Sequence, residues 1–208
     1  MSAPAASGIP TGRLFLLRHG ETEWSKSGRH TGRTDLPLTE HGEALARAAG
    51  GLLSGCSFGL VLSSPLQRAW RTAELAGLSP EAEPDLMEWD YGSAEGRTTA
   101  QIRAELGRPW SVFLDGVTPG ATPGEQVEEV AARMARVLGR IQPTLQTQDV
   151  ALVGHGHALR ILATVFLRQE VRLAASLLLD AGSVSVLRYD KEFPAVEMWN
   201  RPPGLNAD

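Results

Sequence analysis

Short continuous apolar runs alternate along this chain with stretches in which apolar residues recur at helical spacing. Runs of four or five largely apolar residues occupy 14–17, 58–62 and 150–153, and runs this short predict strands buried on both faces. Segments 183–188 and 196–199 are typical of closing strands. Because strands alternate with helices, the pattern predicts an α/β fold, a three-layer sandwich whose mostly parallel sheet carries helices on both faces.

Capping residues mark where the predicted helices begin. Serine and threonine cap helix N-termini, and a glutamate or glutamine three residues later completes a capping box. Two stretches rich in glycine, hydroxyl and charged residues, 21–37 and 107–120, are predicted as loops. Helix starts are predicted at Thr39, at Ser64 followed by Pro65, at Thr98 with Gln101, and at Thr122 with Glu125 as the start of the longest helix.

The length of 208 residues suits one α/β domain. Residues 1–12 are rich in Ala, Ser, Gly and Pro and resemble no secretory signal, so they predict a disordered leader before a single domain at 13–208. No apolar run reaches transmembrane length, which argues against a membrane partner. Cys56 is the single cysteine, so no internal disulfide can form and a reducing compartment such as the cytoplasm is expected.

Charge narrows the range of partners. Hydrophobic residues make up 42% of the chain and charged residues 21%, as in an ordinary soluble globular protein. The net charge of -4 disfavours a general nucleic-acid binder. A local positive site for a small anionic ligand remains compatible with this balance.

Candidate chemistry lies directly after the predicted buried strands. Arg18, His19 and Gly20 follow the first strand, Arg68 follows the second, and His155 follows the strand at 150–153. The carboxyl ends of parallel strands share one edge of a sheet, where ligands bind. The planar fork of arginine suits phosphate, and a neutral imidazole is nucleophilic. Two arginines flanked by two imidazoles therefore predict a phosphoryl site.

Phosphoryl transfer at such a site also needs an acid. One imidazole can attack phosphorus in line and carry it as a phosphoramidate, while the other donates to the equatorial oxygens. The leaving alkoxide then needs a proton from a carboxylic acid. Glu88 and Asp90, in a segment dense in aromatic and acidic residues, are the candidates. A loop salt bridge is the alternative role for Glu88.

Four motifs in order resemble the histidine phosphatase (phosphoglycerate mutase-like) superfamily. The resemblance runs from the first strand past the last histidine. The motifs are Leu17-Arg18-His19-Gly20-Glu21-Thr22, Ser63-Ser64-Pro65-Leu66-Gln67-Arg68-Ala69, Glu88 before Tyr91-Gly92, and Gly154-His155-Gly156.

The resemblance implies a phosphoglycerate mutase-like fold and assigns roles. It implies that His19 is the nucleophile, that Arg18, Arg68 and His155 form the phosphate pocket, and that Glu88 is the proton donor. It implies no metal and no cofactor. Many mutases carry asparagine where Ser25 stands. The residues implied to contact phosphate or substrate are Ser25, Arg29, Thr31, Gly32 and Gly156.

Within the superfamily the chain is most similar to the sedoheptulose-bisphosphatase branch and related acid phosphatases, which implies a small-molecule sugar phosphate as substrate. The stretch 92–122 is short and lacks the basic cap of phosphoglycerate mutases, which favours water as the final acceptor. The motifs are Trp24-Ser25-Lys26-Ser27-Gly28, Thr34-Asp35-Leu36-Pro37-Leu38-Thr39, Glu88-Trp89-Asp90-Tyr91-Gly92, Arg108-Pro109-Trp110, Asp115-Gly116 and His155-Gly156-His157-Ala158-Leu159-Arg160.

Other readings stay open at this point. A mutase or a phospho-ligand-binding protein without turnover shares the same residues. A metal hydrolase could use His19, His155 and His157, but the nearby arginines would repel a cation. A homodimer could use exposed tryptophans, although tryptophans are more often buried in the core.

Overall fold

A six-stranded sheet forms the centre of the protein, which a computed structural model describes over residues 8–204. The strand order is β3-β2-β4-β1-β5-β6. The pairs from β3 to β1 are parallel, and β5 and β6 pair antiparallel at one edge. The predicted mostly parallel sheet is confirmed. Its strands are β1 Leu14–Arg18, β2 Phe58–Ser63, β3 Glu81–Ala82, β4 Asp149–Gly154, β5 Val184–Asp190 and β6 Phe193–Arg201.

Seven α-helices accompany the sheet within the described residues. The segment between α3 and α6 also contains two 3₁₀ turns, at Pro84–Leu86 and Gly92–Ala94. The helices are α1 Glu23–Lys26, α2 Glu40–Leu53, α3 Gln67–Leu75, α4 Thr99–Leu106, α5 Val112–Asp115, α6 Val127–Leu145 and α7 Gly156–Phe166.

Alternating strand residues supply two separate cores. Leu14 and Leu16 face α6, α7 and the segment that precedes α6. Phe15 and Leu17 face the other side of the sheet, where α2 and α3 pack. Because successive side chains of a strand point to opposite faces, an apolar run without polar interruption fits a sheet covered on both sides. The three-layer architecture follows from this pattern.

Two helix starts are confirmed. The hydroxyl of Thr39 accepts the backbone N–H of Gly42 at the start of α2. Thr98 and Gln101 form a reciprocal capping box at the start of α4. At both positions the predicted hydroxyl residue caps the helix that follows it.

The other two helix starts were predicted wrongly. Ser64 does not cap α3, which begins three residues later, because its hydroxyl is bonded to Nε2 of His155 at 2.8 Å. Thr122 does not cap α6, which begins after Gln126, because its hydroxyl is donated to the carboxylate of Asp90. Both hydroxyls therefore bond to residues distant in the chain, and that of Ser64 also accepts the N–H of Leu66 at 3.3 Å.

Both predicted loops contain a short helix. The stretch 21–37 includes α1, which Thr22 and Ser25 cap reciprocally, and 107–120 includes α5. Part of the proposed leader, residues 1–7, lies outside the described residues. Within the leader's last residues, the N–H groups of Thr11 and Gly12 bind the carbonyls of Gln146 and Leu145. Over residues 8–204 no helix has both the length and the apolar character needed to cross a membrane.

Candidate active site

The carboxyl ends of three neighbouring parallel strands bring the predicted residues together. In the register of the sheet Arg18 of β1 lies beside Gly154 of β4, and Ser63 of β2 lies beside Val153. The chain after each strand end therefore leaves the same edge of the sheet. His19 and His155 follow their strands directly, and their ring centroids are 5.1 Å apart.

His19 is buried and held in one tautomer. Its Nδ1 lies 2.7 Å from the carbonyl oxygen of Gly20. Because a carbonyl only accepts, Nδ1 carries the proton and Nε2 keeps its lone pair. Burial, and then the charges of Arg68 and Arg18, hold the pKa of His19 well below its usual value. At neutral pH the ring is thus a neutral imidazole, the form a nucleophile requires.

Arg68 lies behind the nucleophile with no exposed surface. Its Nε donates to Nδ1 of His155 at 3.2 Å, and its two Nη atoms donate to the carbonyls of Thr31, Gly32 and Thr34. These bonds use four of the five N–H groups that a guanidinium has. Arg68 therefore anchors the loop at 31–34 and keeps one N–H for another acceptor.

Arg18 has a buried donor without a partner among the described residues. Its Nη1 donates to the carbonyl of Leu179, whereas its Nε is buried and has no hydrogen-bond partner among the described residues. A Cβ added at Gly156 would lie 3.2 Å from Cζ and Nε of Arg18, so glycine lets the guanidinium approach the start of α7. A buried donor without a partner costs free energy, and the side chain of Arg18 also lines the cavity described below.

The carboxylate of Glu88 lies at the amino end of α7. Its Oε1 accepts the N–H groups of Trp89 and Ala158, each at 2.9 Å, and its Oε2 accepts that of His157 at 3.1 Å. The second acidic candidate lies elsewhere, since Asp90 accepts the hydroxyl of Thr122 and a backbone N–H. Of the two predicted acids, Glu88 alone lines the cavity described next.

A cavity of about 220 Å³ opens over these groups. Three arginines line it, Arg18, Arg29 and Arg160, whereas Glu88 is its one carboxylate. Positive charge therefore exceeds negative charge, as an anionic ligand requires. The other lining residues are His19, Ser25, Gly28, His30, Thr31, Tyr91, Thr99, Gly156, His157 and Leu179.

The implied binding residues divide into those that line the cavity and those that lie behind it. Arg29, Thr31 and Gly156 line it, as does Ser25, whose hydroxyl is donated to the carbonyl of Thr22. Gly32 lies behind the lining, where its N–H is donated to the carboxylate of Glu95. Arg68 and His155 also lie behind it.

Sequence reasoning missed several lining residues, and Arg160 is the most consequential. Burial lowers the pKa of Arg160, and its guanidinium lies 4.5 Å from the ring centre of Phe113. Arg160 stands four residues after Gly156, and residues at this spacing share one face of a helix. That spacing was a usable signal. Tyr91 and Thr99 come from separate segments and carry no comparable local signal.

His30, Thr99, His157 and Arg160 also line a second cavity of about 180 Å³, together with Arg103 and Trp110. His157 packs against Phe113 with ring centroids 4.8 Å apart, and its Nδ1 is bonded to the hydroxyl of Tyr91. Burial and the charge of Arg160 hold the pKa of His157 well below its usual value. Over residues 8–204 no three His, Cys, Asp or Glu side chains are arranged to hold a metal ion.

Comparison with known proteins identifies the class. The family model of the histidine phosphatase superfamily (branch 1) matches residues 14–202. The chain therefore belongs to the histidine phosphatase superfamily and is an enzyme of that family. The predicted resemblance is confirmed at this level.

Among individual proteins, the chain is 37% identical over 186 residues to an acid phosphatase of Mycobacterium tuberculosis, covering 88% of this chain and 89% of that protein. It is 35% identical to the sedoheptulose 1,7-bisphosphatase of Saccharomyces cerevisiae, covering 75% of this chain and 68% of that protein. A solved structure of an open reading frame from Mycobacterium tuberculosis superposes with a TM-score of 0.87 at 34% identity, covering 93% of this chain and all of that chain.

Proposed function

We propose that this protein hydrolyses a small-molecule phosphate ester, a sugar phosphate or bisphosphate, through a phosphohistidine intermediate on His19 and without a metal ion. The observation that carries the proposal is that a neutral His19, whose Nε2 keeps its lone pair, and the guanidinium of Arg18 line the same cavity. A nucleophile and an anion-binding donor thus face one cavity.

In the first step the phosphoryl group binds with its oxygens toward Arg18 and Arg29. Nε2 of His19 attacks phosphorus in line, a P–N bond forms, and the bond from phosphorus to the ester oxygen breaks. The protonated carboxyl group of Glu88 gives its proton to the leaving oxygen, so the alcohol departs neutral. Arg68 and His155 stabilise charge and hold the geometry from behind the cavity.

In the second step water takes the place of the alcohol. Glu88, now a carboxylate, accepts a proton from the water as its oxygen attacks phosphorus. The P–N bond breaks, its electron pair returns to Nε2 of His19, and inorganic phosphate leaves. One carboxyl group thus serves as acid and then as base, as microscopic reversibility requires.

The far end of the cavity supports a sugar phosphate with a second anionic group. His30, Thr99 and His157 offer donors and acceptors to hydroxyl groups, and Arg160 and Arg103 lie beyond them. Across the two cavities, four arginines and one carboxylate leave an excess of three positive charges, against about two negative charges on one phosphoryl group. The identity with a sedoheptulose 1,7-bisphosphatase supports the same substrate class.

The test is phosphate release by the purified protein in the presence of a chelator. The panel holds sedoheptulose 1,7-bisphosphate, fructose 1,6-bisphosphate, 3-phosphoglycerate and 4-nitrophenyl phosphate, with His19→Ala as the control. The proposal expects release from a sugar phosphate that survives chelation and disappears in the variant. Isomerisation of 3-phosphoglycerate without release would establish a mutase instead. Chelator-sensitive release would establish a metal hydrolase, and binding without turnover a phospho-ligand-binding protein.

A further inference from the structure

A buried ion pair lies directly behind the segment that carries Glu88. Arg133 of α6 and Glu125, just before that helix, are joined by two bonds, from Nε to Oε1 at 2.8 Å and from Nη2 to Oε2 at 3.1 Å. The side chains are 6% and 17% exposed. Neither residue lines the cavity, so the pair contacts no substrate.

Arg133 holds the chain on the amino-terminal side of Glu88. Its Nη1 donates to the carbonyl of Met87 at 2.5 Å and to that of Asp85 at 2.7 Å. Buried carbonyls with a charged donor are held more strongly than those with a neutral one. The residue just before Glu88 is thus fixed to the side of α6.

Glu125 holds the chain on the carboxyl-terminal side. Its Oε2 accepts the N–H of Asp90 at 2.8 Å, and its own N–H is donated to the carbonyl of Asp90 at 2.9 Å. Its carbonyl accepts Nε1 of Trp89 at 2.7 Å. The two residues that follow Glu88 are therefore fixed to the partner of Arg133.

We infer that Arg133 and Glu125 are positioning residues that set where the carboxyl group of Glu88 stands relative to the leaving oxygen. The inference rests on the proposed function. Proton transfer requires hydrogen-bond distance between acid and leaving oxygen, and a misplacement of about 1 Å by a distant substitution can cost about 10²-fold in rate. Glu88 has no bond to the pair itself, so the pair acts through the backbone on each side.

The matched variants are Arg133→Lys and Glu125→Gln, with Arg136→Lys as the control. Arg136 lies on the same helix but binds the side chain of Asp85 at the surface, so its replacement leaves residues 87–90 held. Each variant is assayed on aryl phosphates with leaving phenols of graded acidity and on an alkyl phosphate. Thermal unfolding is recorded for each variant. If Arg133→Lys does not fold, Glu125→Gln alone is compared with the wild type and the control.

An alkyl leaving group needs the acid, whereas 4-nitrophenolate leaves without it. We expect Arg133→Lys and Glu125→Gln to lower kcat/KM, which reports the steps up to cleavage of the ester bond, about 10- to 10²-fold more for the alkyl phosphate than for 4-nitrophenyl phosphate. We expect no further selective loss when either change is combined with Glu88→Gln, and no selectivity in Arg136→Lys.

Two results would overturn the inference alone. One is an equal loss on all substrates in the pair variants while Glu88→Gln stays selective, which is the mark of a purely structural role. The other is a selective loss in a pair variant that is still present in full when the change is combined with Glu88→Gln, because the two effects would then be independent. If Glu88→Gln itself slows both kinds of substrate equally, Glu88 is not the acid. The proposed function is then wrong on this point, and so is the inference that rests on it.

Discussion

Nε of Arg68 donates to Nδ1 of His155 over 3.2 Å, and both side chains are fully buried. Because a guanidinium has donors only, the lone pair of His155 is fixed on Nδ1 and its proton on Nε2, which faces the hydroxyl of Ser64. Burial and the charge of Arg68 hold the pKa of His155 well below its usual value. Arg68 thus sets the protonation and orientation of the imidazole beside the nucleophile.

Replacing Arg68 with lysine therefore removes more than a charge. Lysine has three donors on one atom and cannot bind His155 and the carbonyls of the 31–34 loop together. We expect Arg68→Lys to lower kcat/KM by roughly 10²–10³, the scale of one preorganised donor. Arg71→Lys on the exposed side of the same helix is the control. Near-normal activity of Arg68→Lys would contradict this account of the site.

Buried neutral histidines make stability depend on pH. The pKa values of His19, His155 and His157 are lowered in the folded protein, mainly by burial. Below about pH 6.5 the unfolded chain binds protons there that the folded chain does not. Stability is therefore complete above about pH 6.5 and falls with decreasing pH, by up to about 1.4 kcal/mol per pH unit for each histidine.

Thermal or urea unfolding between about pH 5 and pH 8 checks this slope. We expect His157→Phe to flatten it, because one of the four histidines whose pKa burial lowers, His19, His30, His155 and His157, is gone. His41→Ala, at an exposed position, is expected to leave it unchanged. A free energy of unfolding that rises as the pH falls from 6.5 would contradict the burial of neutral imidazoles.

The acid role of Glu88 predicts a substrate-dependent loss. Glutamine keeps the shape of Glu88 but cannot give a proton, so Glu88→Gln should slow esters with poor leaving groups most. We expect kcat/KM, which excludes the later hydrolysis step in which Glu88 acts as a base, to fall about 10²–10⁴-fold for an alkyl phosphate and much less for 4-nitrophenyl phosphate. Asp90→Asn, whose amide oxygen can still accept from Gly92, should show no such selectivity. Equal losses for Glu88→Gln on both substrates would remove it as the acid.

Arg160 tests the substrate end of the cavity. Its Nε and Nη2 are bonded to the carbonyls of Ala174 and Ala175, which leaves Nη1 for a ligand. We expect Arg160→Met to raise KM about 10-fold or more for a sugar bisphosphate, the scale of one lost charged hydrogen bond, and little for a monophosphate. Arg172→Met, at an exposed ion pair with Glu128, is the control. An equal change for both substrates would argue against a second anion here.

The buried strands and the polar residues that follow them could be predicted from the sequence, because both depend on neighbouring residues in the chain. The short continuous apolar runs of β1, β2 and β4 are typical of strands buried on both faces. A polar residue that follows such a parallel strand lies at the carboxyl edge of the sheet, where ligands bind. His19, Arg68 and His155 were brought together for that reason. The caps at Thr39 and Thr98 were also predictable, since each hydroxyl accepts an N–H of its own helix, although that of Thr39 also donates to Glu21.

The features that could not be predicted from the sequence depend on hydrogen-bond partners distant in the chain. Thr122 and Glu125 carry the pattern of a capping box, yet the first bonds to Asp90 and the second to Arg133. Nothing near Ser64 in the sequence indicates its bond to His155. The burial of Arg68 was unexpected for the same reason, because its acceptors lie in the 31–34 loop and on His155, just before α7.

Trapping the covalent intermediate tests the central claim most directly. The protein is mixed with an excess of phosphate ester, quenched in alkali during turnover, digested and analysed by peptide mass spectrometry, with His19→Ala treated in parallel. The account predicts phosphate on the peptide that carries His19, and none in the variant. Turnover with no phosphate on His19, or with phosphate on His155 instead, would contradict it.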